Sequence, residues 1–218
     1  MATVNKNILG NIKGSLGSVV FRERNGKLIA YTKPAKQKIS RSKASVEARQ
    51  KFSLAVALAK EVNSNSILSD VWKQCKVSAT NAYQKIIKVN SKLTEPKSLS
   101  IKNMITPNGF DLSGITAKLN NKLLEIALDK TKLTDELINA NYLFCLIHLW
   151  NNNKLDFIVK LYQLELSSID DNKQNFTIDL SSVLKKKYKD GICFIALTGV
   201  KSRGNKFFWS STFASKFL

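Results

Sequence analysis

Histidine is almost missing from this chain. His148 is the only one, which leaves no set of imidazoles from which to build a metal centre. The three cysteines, Cys75, Cys145 and Cys193, are odd in number and far apart, with no Cys-x-x-Cys among them. They read as reduced, buried thiols of a cytoplasmic setting rather than as a disulfide framework. Arginine is scarce as well: only Arg22, Arg24, Arg41, Arg49 and Arg203 among 35 basic residues. Arginine is the usual reader of base edges and the usual bidentate clamp, so a lysine-dominated surface argues against sequence-specific recognition of nucleic acid. Long apolar runs are absent; the longest, Tyr142 to Trp150, is nine residues, against roughly 20 for a membrane helix. The opening MATVNKNILGNIKGS has no apolar segment and no small-residue cleavage site of a signal peptide. The expectation is a soluble chain made in the cytoplasm, with no membrane partner and no cofactor.

What is present is positive charge. The 218 residues carry a formal charge of +19, which favours acidic partners such as nucleic acid, a membrane surface or negatively charged protein. The charge is uneven. Residues 1–52 hold twelve basic and two acidic side chains, more than half of the net total.

Three parts follow one another. Residues 1–43 read as a glycine-bearing hairpin and a basic extended arm. Met1 to Gly17 has glycines at 10, 14 and 17 and little periodicity, so an irregular or extended course is expected. Ser18 to Lys33 reads as a β-hairpin with Asn25-Gly26 at its tip, because both central residues of a type I′ turn need positive φ. PAKQKISRSK (34–43) has too few apolar residues to form a core and reads as an arm. Residues 44–93 read as a short helical unit. Its first helix is expected to begin at a Ser45 cap with Glu47 in the first turn and an apolar face of Phe52, Ala55, Val56, Ala59 and Val62. Ile67–Val77 and Ala79–Lys92 are expected as the second and third helices. Thr94-Glu95-Pro96-Lys97 reads as a boundary.

Beyond it, residues 98–218 read as an antiparallel β-sandwich of immunoglobulin or fibronectin type III kind, which makes the whole chain α+β. Strands are expected at 100–106, 109–117, 122–129, 141–150, 155–166, 175–180, 191–200 and 206–214, with one helical turn between Leu180 and Lys189.

Catalytic constellations find little support. The Walker pattern needs Gly-Lys-Ser/Thr opening a helix, whereas Lys13 precedes Gly14-Ser15 and a strand follows. Asp170-Asp171 lies in a polar loop and reads as a solvated turn. Cys145 and His148, three apart in a strand, fall on opposite faces, and His148 is left to packing or solvent. The expectation is a non-enzymatic protein. The live signal is the set Arg22, Arg24, Lys27, Lys33, Lys36, Lys38, Arg41 and Lys43, able to track phosphates or to dock on acidic protein. Aromatic interleaving for a stacking platform is confined to Phe21 and Tyr31. Lys185–Lys189 is a second charge run with the look of a solvated face, and Phe207-Phe208-Trp209 divides between core and interface.

Gly-Ser-Leu-Gly-Ser-Val-Val-Phe-Arg (14–22), Arg-Asn-Gly-Lys (24–27), Lys-Pro (33–34) and Ala-Arg-Gln-Lys-Phe (48–52) form a signature. It resembles one shared by uncharacterised proteins of Bacteroidota and their tailed phages. The match covers about the first 60 residues well and the rest in outline. No activity is established for that group, so no catalytic residue carries over. The resemblance implies a virion structural protein, in the head, connector or tail, whose partners are other virion proteins and copies of itself. A nucleic-acid-binding accessory protein using the same arm is the alternative.

Overall fold

The computed structural model of the chain describes residues 2–4, 13–24, 26–33, 35, 39–120, 122–151, 156–166, 172–184, 188, 190–200 and 206–217. The fold is α+β with antiparallel sheets. The chain divides into two compact units, Met1–Arg41 and Ser42–Leu218.

The first unit is a four-stranded antiparallel sheet. Strands β1 (Ala2–Val4), β2 (Gly14–Leu16), β3 (Val19–Arg24) and β4 (Lys27–Thr32) lie in the order β1-β4-β3-β2. The expected hairpin is its centre: β3 pairs with β4 from Val19 opposite Thr32 to Arg24 opposite Lys27, leaving a two-residue loop. Gly26 in that loop has φ +71, a conformation that costs glycine little. Asn25 lies outside the described residues. The segment before the hairpin, expected to be irregular or extended, supplies β1 on one side and β2 on the other. Three-residue strands are too short to leave a periodic signal.

In the second unit, helix α1 runs Lys43–Ser64, α2 Ser66–Gln74, α3 Ala82–Leu93 and the short α4 Asp135–Ile138. The cap of α1 is Ser42, not Ser45: its hydroxyl accepts from the Ser45 amide at 3.4 Å. A serine hydroxyl at this position satisfies an amide that the helix leaves open, at a gain of about 1 kcal/mol. The helix therefore starts earlier, Glu47 falls beyond its first turn, and Lys43 belongs to a helix rather than to an arm. The buried face is Leu54, Ala55, Leu58, Ala59 and Val62, while Phe52 is 55% exposed. Asn65 and Asn81 cap α2 and α3 through their side chains. None of the described helices is long and apolar enough to cross a membrane.

Strands β5 (Ile115–Asn120), β6 (Leu123–Asp129) and β9 (Lys173–Asp179) form a three-stranded sheet in the order β5-β6-β9. A larger sheet holds β7 (Tyr142–Asn151) between β8 (Asp156–Glu165) and β10 (Asp190–Val200). Two short strands, β11 (Phe207–Trp209) and β12 (Phe213–Phe217), share the far side of β10. One terminal strand had been expected there. Ser210–Thr212 breaks it, because Leu197 bonds both ways with Ser210 while Thr212 Oγ1 accepts from the amides of Ile105 and Thr106.

The burial patterns follow from the layering. On β6, Leu124, Ile126 and Leu128 are buried and Leu123, Glu125 and Ala127 exposed: one face meets a core and the other water. Strands β7 and β10 instead read as continuous buried runs. Leu143, Cys145, Ile147 and Leu149 of β7, with Cys193, Ile195 and Leu197 of β10, share a core with the three-stranded sheet. Phe144, Leu146 and Trp150, with Ile192, Phe194 and Ala196, share another with Leu58, Val62, Trp72 and Ile86 of the helices. The large sheet is thus covered on both faces.

The boundary expected at Thr94–Lys97 is not a break, since helices and sheet share that second core. The strand expected at 100–106 is absent, and between 109 and 117 the ladder begins only at Ile115, apart from one parallel bridge from Phe110 to Ser210. The cause is a knot of buried polar groups. Asn103 Nδ2 donates to Asn90 Oδ1 and Thr94 Oγ1, each at 3.0 Å, and the Met104 amide donates to Asn90 Oδ1 at 2.8 Å. Side-chain bonds of this kind offer the backbone an alternative to the ladder. The expected turn after Leu180 is present, closed by Leu184 N to Leu180 O at 2.7 Å.

Candidate basic docking site on the N-terminal sheet

Residues directly opposite on neighbouring strands project from the same face. Leu16, Val19, Phe21, Ala30 and Leu28 therefore share one face of the first unit, with Thr32 and Glu23 at its ends. Val20, Tyr31, Ile29, Arg22, Arg24 and Lys27 share the other. None of the described side chains in residues 13–41 is buried, and Leu16 is 75% exposed. Apolar side chains left in water gain about 25 cal/mol for each Å² that a partner covers, so this face favours docking.

The opposite face concentrates cations. Arg24 stands directly across from Lys27, and Arg22 follows two residues along the same strand and face. Like charges directly opposite on a ladder disfavour it by roughly 0.2–1 kcal/mol, a cost that an anion at this edge removes. The only described carboxylate of the unit is Glu23, which Lys13 holds at 2.8 Å. That hydrogen bond and charge lower the Glu23 pKa. Among the described residues none of Arg22, Arg24 and Lys27 has an ion-pair partner.

The other expected members of the set are dispersed. Lys33 follows β4, its amide donating to Ser18 O at 2.6 Å. Arg41 is exposed at the end of the first unit, and Lys43 is exposed at the start of α1 in the second. Lys36 and Lys38 lie outside the described residues, as do Asp170-Asp171, Lys185–Lys187 and Lys189. The structure thus brings together Arg22, Arg24 and Lys27. What residue order alone did not reveal is the share of β2 in the apolar face behind them, where Leu16 stands opposite Val19.

The groups weighed for catalysis are packed instead. His148 on β7 faces the helical core with no exposure, and its ring stacks on Trp150 with centroids 4.9 Å apart. Nε2 accepts from the Leu99 amide at 3.2 Å. Burial drives its pKa down to about 3, against a weaker upward pull from the Ile158 backbone, so the ring is neutral. Cys145 and Cys193 sit in the opposite core as free thiols. Burial pushes Cys145 well up, with Cys193 adding to the shift, and raises Cys193 to about 11. A thiol so raised carries almost no thiolate and is a poor nucleophile. Among the described residues no group of three or more histidine, cysteine or acidic side chains converges as a metal site would require.

Comparison with known proteins finds no matching family model, no curated relative and no matching solved structure.

Proposed function

We propose that this chain is a non-enzymatic structural subunit of a tailed-phage particle, in its head, connector or tail. The two facing sheets serve as a sandwich-type body of immunoglobulin or fibronectin kind, stiffened by the helical layer. The N-terminal sheet and basic arm reach neighbouring virion proteins or copies of the same chain. The observation that carries this reading is the first unit itself: four strands with no buried described side chain, one face mostly apolar and the other carrying Arg22, Arg24 and Lys27 beside Val20, Ile29 and Tyr31. Such a sheet gains a covered face when it docks, and its basic edge selects acidic surfaces.

A second reading is favoured by the Arg22, Arg24 and Lys27 cluster: a nucleic-acid-binding accessory protein that lays these cations on phosphates. Salt separates it from the first. Phosphate binding falls by about one power of salt concentration for each neutralised contact. The test is titration of duplex and single-stranded DNA and of RNA at low salt, beside capture of dissociated particle proteins by the immobilised chain. The structural reading expects capture of particle proteins, weakened by the triple change Arg22→Glu, Arg24→Glu and Lys27→Glu. A steeply salt-dependent nucleic-acid complex with no protein capture overturns it in favour of the second.

A further inference from the structure

A cavity of about 580 Å³ opens in the second unit where the end of α2, the face of α3, the 104–108 segment and β11 meet. Trp72, Val77, Val89, Met104, Pro107 and Trp209 give it an apolar lining. Its walls are fixed. Trp72 is fully buried and its Nε1 donates to Ile105 O at 2.8 Å. The Trp209 indole lies against Gly109, where an added Cβ would fall 2.5 Å from its Cδ1 and 2.3 Å from the Trp209 carbonyl oxygen. Trp209 is only half-buried, so part of the ring remains available to an occupant.

The rim is cationic. Exposed Lys76 belongs to the lining, which contains no carboxylate. Lys85 Nζ donates to the carbonyls of Lys73 and Cys75 at 2.9 and 2.7 Å, and Lys88 Nζ to that of Ser78 at 2.7 Å. These bonds hold the 73–78 segment and keep both charges beside the opening. Asp70 on α2 is already paired with Lys73 at 2.7 Å.

We infer that this cavity takes one bulky apolar side chain, aromatic or large aliphatic, from an acidic segment of another protein. The apolar lining accepts the side chain, as interface hot spots accept buried aromatic anchors. Charge complementarity decides the flanks. Lys76, Lys85 and Lys88 are spread along two elements and match several carboxylates on a chain better than the one carboxylate of a small acid. The same charge repels the protein's own basic arm, so the occupant is not a second copy using that arm. The inference stands apart from the virion reading, since it rests on the second unit alone.

Cys75 lines the cavity and is half-buried, whereas Cys145 and Cys193 have no exposure. N-ethylmaleimide labelling of the native full chain, followed by intact mass, therefore reports occupancy at one thiol. The capped peptide Asp-Glu-Phe-Asp-Glu is expected to slow labelling of Cys75. Asp-Glu-Ala-Asp-Glu and Lys-Lys-Phe-Lys-Lys are expected not to. Lys76→Glu, at an exposed position, and Trp209→Ala should each weaken protection by roughly tenfold or more, the scale of an interface anchor. Equal protection by all three peptides, or none at millimolar concentration, overturns the assignment. So does protection by phenylacetate or oligothymidylate as strong as that by the acidic phenylalanine peptide.

Discussion

The backbone amide of Leu99 donates to Nε2 of His148 across 3.2 Å, inside the core between the helices and the large sheet. The only histidine is thereby fixed as a neutral acceptor, and its protonation opposes the fold. Unfolded, the imidazole titrates near its ordinary 6.5; folded, it titrates near 3. Between these values the unfolded state binds the extra proton, so stability is whole above about 6.5 and is lost as pH falls. The slope is about 1.4 kcal/mol per pH unit.

Urea unfolding between about pH 6.5 and 5.5 isolates this effect. Glu23, Asp129 and Asp179 are held below the ordinary carboxylate range by bonds from Lys13, Thr131 and Ser181 respectively. Their contribution is present above the ordinary carboxylate range and is lost only at lower pH. His148→Gln should remove most of the slope. A wild-type stability that is flat across this window contradicts the buried, neutral assignment.

Asn90 and Asn103 form the second buried relationship that decides the fold. Replacing either with alanine strands its partner and, for Asn90, the Met104 amide. Each change should cost about 2–4 kcal/mol, as buried unsatisfied groups do. Because the two act through one network, the double variant should cost clearly less than the sum. Additive losses in a urea double-mutant cycle would show that the two amides act separately.

These two sites also show where sequence reading reached its limit. The hairpin was legible because Asn25-Gly26 is a local demand on the backbone, and α2 because Leu68, Val71 and Trp72 keep helical spacing. Strands β7 and β10 stood out as apolar runs, yet their length does not say that helices cover one face and a second sheet the other. The stretch 100–106 mixes apolar and polar residues without strict alternation, and its hold on the distant Asn90 makes it a loop. The docking face was half legible: Arg22, Arg24 and Lys27 are close in sequence and the hairpin register groups Val19, Phe21, Leu28 and Ala30, but Leu16 joins them only through β2, three residues with no period of their own. The Trp209 cavity joins residues more than 130 positions apart, a distance no local pattern spans.

Lys122 offers a stabilising change. It has φ +71 in the two-residue loop between β5 and β6, set by Asn120 opposite Leu123. A non-glycine residue held there costs about 1 kcal/mol. Lys122→Gly should raise the unfolding free energy by about that amount. A loss of stability on thermal or urea unfolding contradicts the backbone argument.

Both buried cores lie within residues 42–218. A chain beginning at Ser42 should therefore fold by itself and melt cooperatively. Its midpoint should lie within roughly 3 °C of the full chain, the equivalent of about 1 kcal/mol for a domain of this size. Circular dichroism melting checks this, and a non-cooperative transition contradicts it.

The N-terminal sheet is the centre of this account: folded, with no described side chain buried, and carrying Arg22, Arg24 and Lys27 together on one face. The direct measurement is quantitative mass spectrometry of purified tailed-phage particles assembled in a host that carries the gene. It compares the full chain, the chain from Ser42, and the Arg22→Glu, Arg24→Glu, Lys27→Glu variant. The account predicts the full chain in particles at fixed stoichiometry, the truncated chain absent, and the charge-reversed chain reduced by roughly tenfold, the scale of lost interface cations. Absence of the full chain from particles, or equal incorporation of all three, contradicts it.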